Sequence, residues 1–103
     1  MMGKPPTEAL ANAELRLRAA SEARAAEFAP MDLQSAREKL EGSKQAIAAK
    51  RYEDARRLAE SAQVEAELAE VKAETEIMRR AAEELQKGVH EDTVIEDLNA
   101  ETT

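Results

Sequence analysis

The stretch YEDARRLAESAQVEAELAEVKAETEIMRRAAEELQK, from Tyr52 to Lys87, decides the fold of this chain. It carries two apolar series at helical spacing. Ala55, Ala59, Ala62, Ala66, Ala69 and Ala73 recur in steps of 4-3-4-3-4, and Ile77 continues them. Val64, Leu68, Val71, Thr75, Met78, Ala82 and Leu85 recur in steps of 4-3-4-3-4-3. Positions two apart lie about 200° apart around a helix, so the two series occupy nearly opposite faces. A helix that is apolar on two sides calls for two neighbours. The alanine series suits a closely approaching helix. The larger series suits a second helix of the same chain or another copy of it. The stretch spans about 54 Å as a helix, and Gly88 reads as its C-terminal cap. Glu53–Arg57, Glu76–Arg80 and Glu83–Lys87 are oriented as favourable i,i+4 pairs along it.

Upstream, Lys50-Arg51-Tyr52-Glu53-Asp54 reads as a turn, with basic residues ending one helix and acidic residues opening the next, as both helix dipoles favour. Tyr52, followed by Ala55, Leu58 and Ala59, plugs this hairpin in the manner of tetratricopeptide-type helix pairs, although no repeat period recurs. Leu33, Ala36, Leu40, Ser43 and Ile47 form a 3-4-3-4 stripe on a helix placed at about 31–49. Gly42 falls inside it at a cost of about 1 kcal/mol and reads as a point of close helix contact. Phe28-Ala29-Pro30 interrupts the pattern before it, because proline lacks the amide donor and moves Ala29 out of helical conformation. Asp32 then favours a helix start. The first helix is placed at about 7–27, with Thr7 as its N-cap, Leu10, Ala13, Leu17 and Ala20 as its stripe, and Glu14–Arg18 as a surface pair. Residues 1–6 read as a disordered lead and 89–103 as an acidic tail, disordered or a short helix, in which Thr93 and Glu96 could cap a turn.

These elements predict a single all-α domain over 7–88: a three-helix up-down-up antiparallel bundle, or helical hairpin, with an extended third helix. Pro30 decides between two forms. As a turn it separates the first two helices. As a kink it leaves one long arm in which Leu33 faces Leu68 and Leu17 faces residues near Leu85. The three-helix form is the expected one. Phe28, Pro30, Leu33, Leu40, Tyr52, Ala55, Leu58, Ala59 and Ala62 are its expected structural residues.

Composition agrees with this architecture. Twenty-two of the 103 residues are Ala, and Phe28 and Tyr52 are the two aromatics. Strand-rich folds draw on residues scarce here. The absence of Cys excludes disulfides, zinc–thiolate sites and a thiol nucleophile. The net charge of −7 argues against nucleic acid as a partner, and no apolar run approaches the length of a membrane helix. The charge is uneven: residues 52–88 sum to −4 and 89–103 to −5.

Little in the sequence carries chemistry. His90, the single His, lacks the Glu-x-x-His spacing of di-iron bundles, since Lys87 stands three residues before it. It reads as an idle tail residue. No strand–turn–helix context presents a nucleophile, and no glycine-rich loop cradles phosphate. Glu60, Glu65, Glu67, Glu70, Glu74 and Glu76 read as a solvated face, and Arg56-Arg57 and Arg79-Arg80 as local ion-pair partners. Hence no catalytic, cofactor or metal residue is expected, and the chain is read as non-enzymatic.

Two segments carry a family resemblance. Phe28-Ala29-Pro30-Met31-Asp32-Leu33-Gln34-Ser35-Ala36-Arg37-Glu38-Lys39-Leu40 resembles a "(Tyr/Phe)-Ala-Pro-x-(Glu/Asp)-Leu-x-x-Ala-Arg-x-Lys-Leu" core. Tyr52-Glu53-Asp54-Ala55-Arg56-Arg57-Leu58-Ala59-Glu60-Ser61-Ala62 resembles a following "Tyr-x-x-Ala-x-x-Leu-Ala-x-x-Ala" segment. Together they are similar to the bacterial domain of unknown function 4398 family over about residues 8–87. The chain departs from that pattern at Arg24, where Gly is common. The resemblance implies a bacterial cell-envelope protein, periplasmic or outer-membrane-anchored. Members stand behind secretory or lipoprotein signals, and the Met1-Met2-Gly3-Lys4 start has the look of a trimmed chain. Membrane contact is then expected only through a lipid anchor outside this otherwise soluble sequence. The family carries no established activity.

The expected function is that of a structural or protein-interaction module. It would bind a protein partner or itself, as in a coiled coil, through Val71, Met78 and Leu85, the part of the larger series that shorter helices leave uncovered. The alternative is a small periplasmic holdase that uses the same surface for unfolded clients.

Overall fold

A computed structural model describes residues 3–102, with side-chain surroundings over residues 3–88. The double-Met start, Thr103, and the side chains of His90, Thr93 and Glu96 lie outside the described residues. Among the described residues the chain is all-helical, with four helices: α1 (Thr7–Glu22), α2 (Ala25–Phe28), α3 (Pro30–Ala48) and α4 (Tyr52–Thr102). Among the described residues no helix is long and apolar enough to cross a membrane.

The first expected helix is divided. α1 stops at Glu22, and Arg24 takes the left-handed conformation at φ 69°. The resemblance implies Gly at this position, and Gly has no Cβ to clash there. The single turn α2 follows. Thr7 is the first helical residue and not a cap: Pro6 stands at the N-cap position, without a side-chain cap bond. Pro30 opens α3, where its missing N–H leaves nothing unsatisfied, and Ala29 before it lies at φ −145°.

α3 ends in a Schellman motif. The Arg51 amide donates to the Ala46 carbonyl at 2.8 Å and the Lys50 amide to the Ile47 carbonyl at 2.9 Å. Lys50 occupies its left-handed position at φ 60°. An L-residue is strained there by about 1–2 kcal/mol. Lys50→Gly is therefore expected to raise the unfolding free energy by about 0.5–1 kcal/mol, net of the extra freedom Gly gives the unfolded chain. A rise in urea midpoint at constant m-value checks it; a fall refutes it.

The core is a seam of small side chains. Ala55, Ala59, Ala62, Ala66, Ala69 and Ala73 are all buried, at 0–2% exposure. At one end of the seam Ala69 and Ala73 pack with Ala20, Ala25, Ala29 and Leu33. At the other, Ala59 and Ala62 pack with Ala13 and Leu40. Leu17 touches both clusters, so it sits with Leu33 and Leu40 and not near Leu85. Ser43 is fully buried, and its hydroxyl donates to the Ala55 carbonyl at 2.7 Å, which satisfies the one buried polar side chain of α3. Gly42 is not an obligatory contact point. A Cβ placed there would meet Leu58 Cδ1 at 3.4 Å, an ordinary van der Waals distance.

The expected end at Gly88 does not occur, because α4 continues through it to Thr102. Gly3, and not Gly88, is the glycine with positive φ among the described residues. A cap needs the left-handed turn, whereas a glycine within a helix costs only about 1 kcal/mol. At 51 residues α4 is about 76 Å long, which accounts for most of the 85 Å long axis of the molecule.

Candidate interaction surface

α4 presents its second apolar series to solvent. Val71, Met78 and Leu85 are 56, 69 and 70% exposed, against 0% for Ala73 on the opposite face. Val64 and Leu68 belong to the same exposed strip. Val71 is uncovered for a reason other than overhang. The neighbouring Ala69 and Ala73 are buried under α1, α2 and α3, so Val71 lies beside the covered stretch and simply faces away from it. The two neighbours that the doubly apolar pattern calls for are not both within the chain, since α1 and α3 share the alanine face.

Charged side chains flank the strip on both sides and tie α4 to the other helices. On one flank Arg16 of α1 pairs with Glu67 at 3.2 Å. On the other, Asp32 pairs with Lys72 at 2.8 Å, and Ser35 Oγ donates to Glu65 at 2.6 Å. Lys39 bridges Ser61, at 2.9 Å, and Glu65. The expected Glu76–Arg80 pair forms, at 2.9 Å, while one cross-helix partner and other local partners replace the remaining expected pairs. Glu14 pairs with Lys44 at 3.5 Å and not with Arg18. Arg57 takes Asp54 at 2.6 Å while Glu53 takes Arg56. Glu83 takes Arg79 and not Lys87. Each flexible side chain has i+3, i+4 and tertiary partners within reach, and spacing alone does not rank them.

Phe28 stands at the upper end of the covered stretch, half-buried. The guanidinium centres of Arg80 and Arg24 lie 4.7 and 5.1 Å from its ring centroid, which is cation–π distance. Glu76 accepts from Arg79 Nη2 at 2.7 Å and from Arg80 Nε at 2.9 Å. The chain Glu76–Arg80–Phe28–Arg24 thus fastens α2 to α4 just below Met78. Hydrogen bonds from Arg79 and then Arg80 hold the Glu76 carboxyl down to about 2 from its ordinary 4.5. A lowered folded-state value means the pairing contributes stability above the ordinary carboxylate range. That contribution is lost as pH falls from about 4.5 toward 2. Titration of the Glu76 side-chain carbon by NMR is expected to show a midpoint near 2; a midpoint near 4.5 would reject the network.

Of the expected structural residues, Leu33, Leu40, Ala55, Ala59 and Ala62 lie in the buried seam. Phe28, Tyr52 and Leu58 are half-buried at its edges, and Pro30 is exposed at the start of α3. Sequence reasoning missed Val64 and Leu68 as exposed, and missed the Arg24–Phe28–Arg80 stack. The first was available in the series itself. The second depends on Arg80, 52 positions beyond Phe28, and that distance leaves no local signal. A shallow groove lined by Glu22, Ala23, Arg24, Glu74, Ile77 and Met78 runs where α1 ends against α4. Among the described residues no group of three or more His, Asp or Glu side chains converges as a metal site would require.

In comparison with known proteins, a family model described as "Domain of unknown function (DUF4398)" matches residues 8–85. No curated protein and no solved structure matches the chain.

Proposed function

The chain belongs to the DUF4398 family, and on that premise we propose that it is a non-enzymatic interaction module of the bacterial cell envelope. We read its helices as an up-down-up bundle of α1, α3 and α4, with the outer face of α4 as the binding surface. The observation that supports this is the contiguous exposure of Val64, Leu68, Val71, Met78 and Leu85 along one face of one helix. Apolar groups gathered in a strip, as opposed to scattered singly, mark interfaces in soluble proteins. The flanks support the same reading: Glu67, Lys72 and Arg79 remain about half exposed, as the polar rim of an interface does. The envelope location follows the expectation raised by the family and sets the compartment in which a partner is sought.

The test is photo-crosslinking in cells from position 78, with position 38 on the exposed outer side of α3 as control. The expected result is one dominant adduct from position 78 and none from 38. The purified partner, the chain itself included, then binds the parent protein and binds Met78→Glu about tenfold or more weakly, as loss of a central apolar contact requires. Equal labelling from both positions refutes the surface. A broad ladder of adducts from 78 favours the holdase reading instead.

A further inference from the structure

We infer that the occupant of this strip is a second copy of the chain, packed parallel and in register as a two-stranded coiled coil along α4. This rests on the strip being an interaction surface and specifies its partner. The steps of 4-3-4-3-4-3 define heptads. Val64, Val71, Met78 and Leu85 take position d, and Leu68, Thr75 and Ala82 take position a. The buried alanines then occupy b (Ala55, Ala62, Ala69) and f (Ala59, Ala66, Ala73), diametrically behind the seam. One face of α4 is thus committed to its own chain, and the other carries the period of a supercoil.

Charge decides the orientation. The e positions are Glu65, Lys72 and Arg79, and the g positions are Glu67 and Glu74, followed by Ala81. In a parallel pair each g position meets the next e position of the other strand. Glu67 then meets Lys72 of the second copy and Glu74 meets Arg79 of the second copy, each twice by symmetry. In an antiparallel pair g meets g, which sets Glu67 and Glu74 against acidic residues. One like-charged approach remains in the parallel pair, Glu60 to Glu65. Each of these is neutralised within its own chain, by Arg56 and Lys39 respectively. Glu67 and Lys72 also hold Arg16 and Asp32, and at 44 and 53% side-chain exposure they keep room to extend those pairs across a dimer.

The structure also decides the number of strands. Isolated helices with Leu at a and β-branched residues at d lean toward higher orders, whose wider interfaces take in e and g. Here α1 lies along the g flank through Arg16–Glu67, and α3 lies along the e flank through Asp32–Lys72. Beside the covered stretch these pairs narrow the open face to the a/d strip and its half-exposed flanks, which favours a single partner helix.

The absence of Cys makes the test direct. Met78→Cys and Val71→Cys variants are each oxidised mildly, alone and mixed, beside sedimentation of the parent protein. The expected results are a dimeric mass, rapid 78–78 and 71–71 disulfides, and little 71–78 product. Dimer affinity is also expected to fall on the order of tenfold in Glu74→Lys, with the helical signal unchanged. Preferential 71–78 linkage, a trimeric or tetrameric mass, or an unaltered dimer in Glu74→Lys overturns the arrangement. A monomeric mass at all concentrations overturns self-pairing. If position 78 still captures one defined foreign partner in cells, the surface itself stands and only its occupant is corrected.

Discussion

Replacing Leu33 with Ala is expected to lower the unfolding free energy by about 2–5 kcal/mol, the range for deleting a buried leucine and leaving a cavity. Leu33 is 1% exposed and is the largest fully buried apolar side chain among the described residues. Its buried neighbours Ala20, Ala25, Ala29, Ala69 and Ala73 are short side chains that cannot reach in to fill the space, and only Leu17 and Phe28 at the edge of the cluster are long enough to close part of it. A domain of this size carries only about 5–15 kcal/mol in total, so the loss is a large fraction of its stability. Denaturant unfolding followed by circular dichroism at 222 nm measures it. A change under about 1 kcal/mol would mean that the seam is looser than its burial indicates. The parent and variant are best compared at equal protein concentration, because any self-association adds to apparent stability by mass action.

The second large effect has the opposite cause. Ala69→Leu inserts three carbons where the side chain is 0% exposed, and overpacking of this kind costs about 1–3 kcal/mol or more. Here it forces the α2–α3 region away from α4, because the contact is with the turn residues Ala25 and Ala29 as well as with Leu33. The two substitutions lie in one cluster and their effects should not add. The new leucine at 69 occupies part of the space that Leu33→Ala empties. The double variant is therefore expected to be less destabilised than the sum of the singles by about 1 kcal/mol or more. Strict additivity would show that the residues do not share a packing site.

Much of this was legible in the chain. The steps 4-3-4-3-4 of Ala55 to Ala73 identified the buried face of α4 residue by residue, because a helix fixes side-chain direction at about 100° per residue whatever surrounds it. Pro30 and Asp32 marked the start of α3 for equally local reasons. The turn at Arg24 was less legible. A left-handed residue announces itself when it is Gly, and Arg carries no such mark. The end of α4 was misread at Gly88 because glycine serves both as a helix terminator and as a tolerated interior residue.

Periodicity and the scarcity of strand-forming residues determined the helical class, the buried alanine stripe and the existence of a second apolar face on α4, but not where each helix breaks or ends. The tertiary structure decided which face was used. It placed α1 and α3 together against the alanines, where small side chains allow close approach, and so left Val64, Leu68, Val71, Met78 and Leu85 to solvent. It also chose the ion pairs, sending Glu14 to Lys44, Glu67 to Arg16 and Asp32 to Lys72. Local spacing offers each charge several partners of similar energy, and only the packing of the helices brings one of them near.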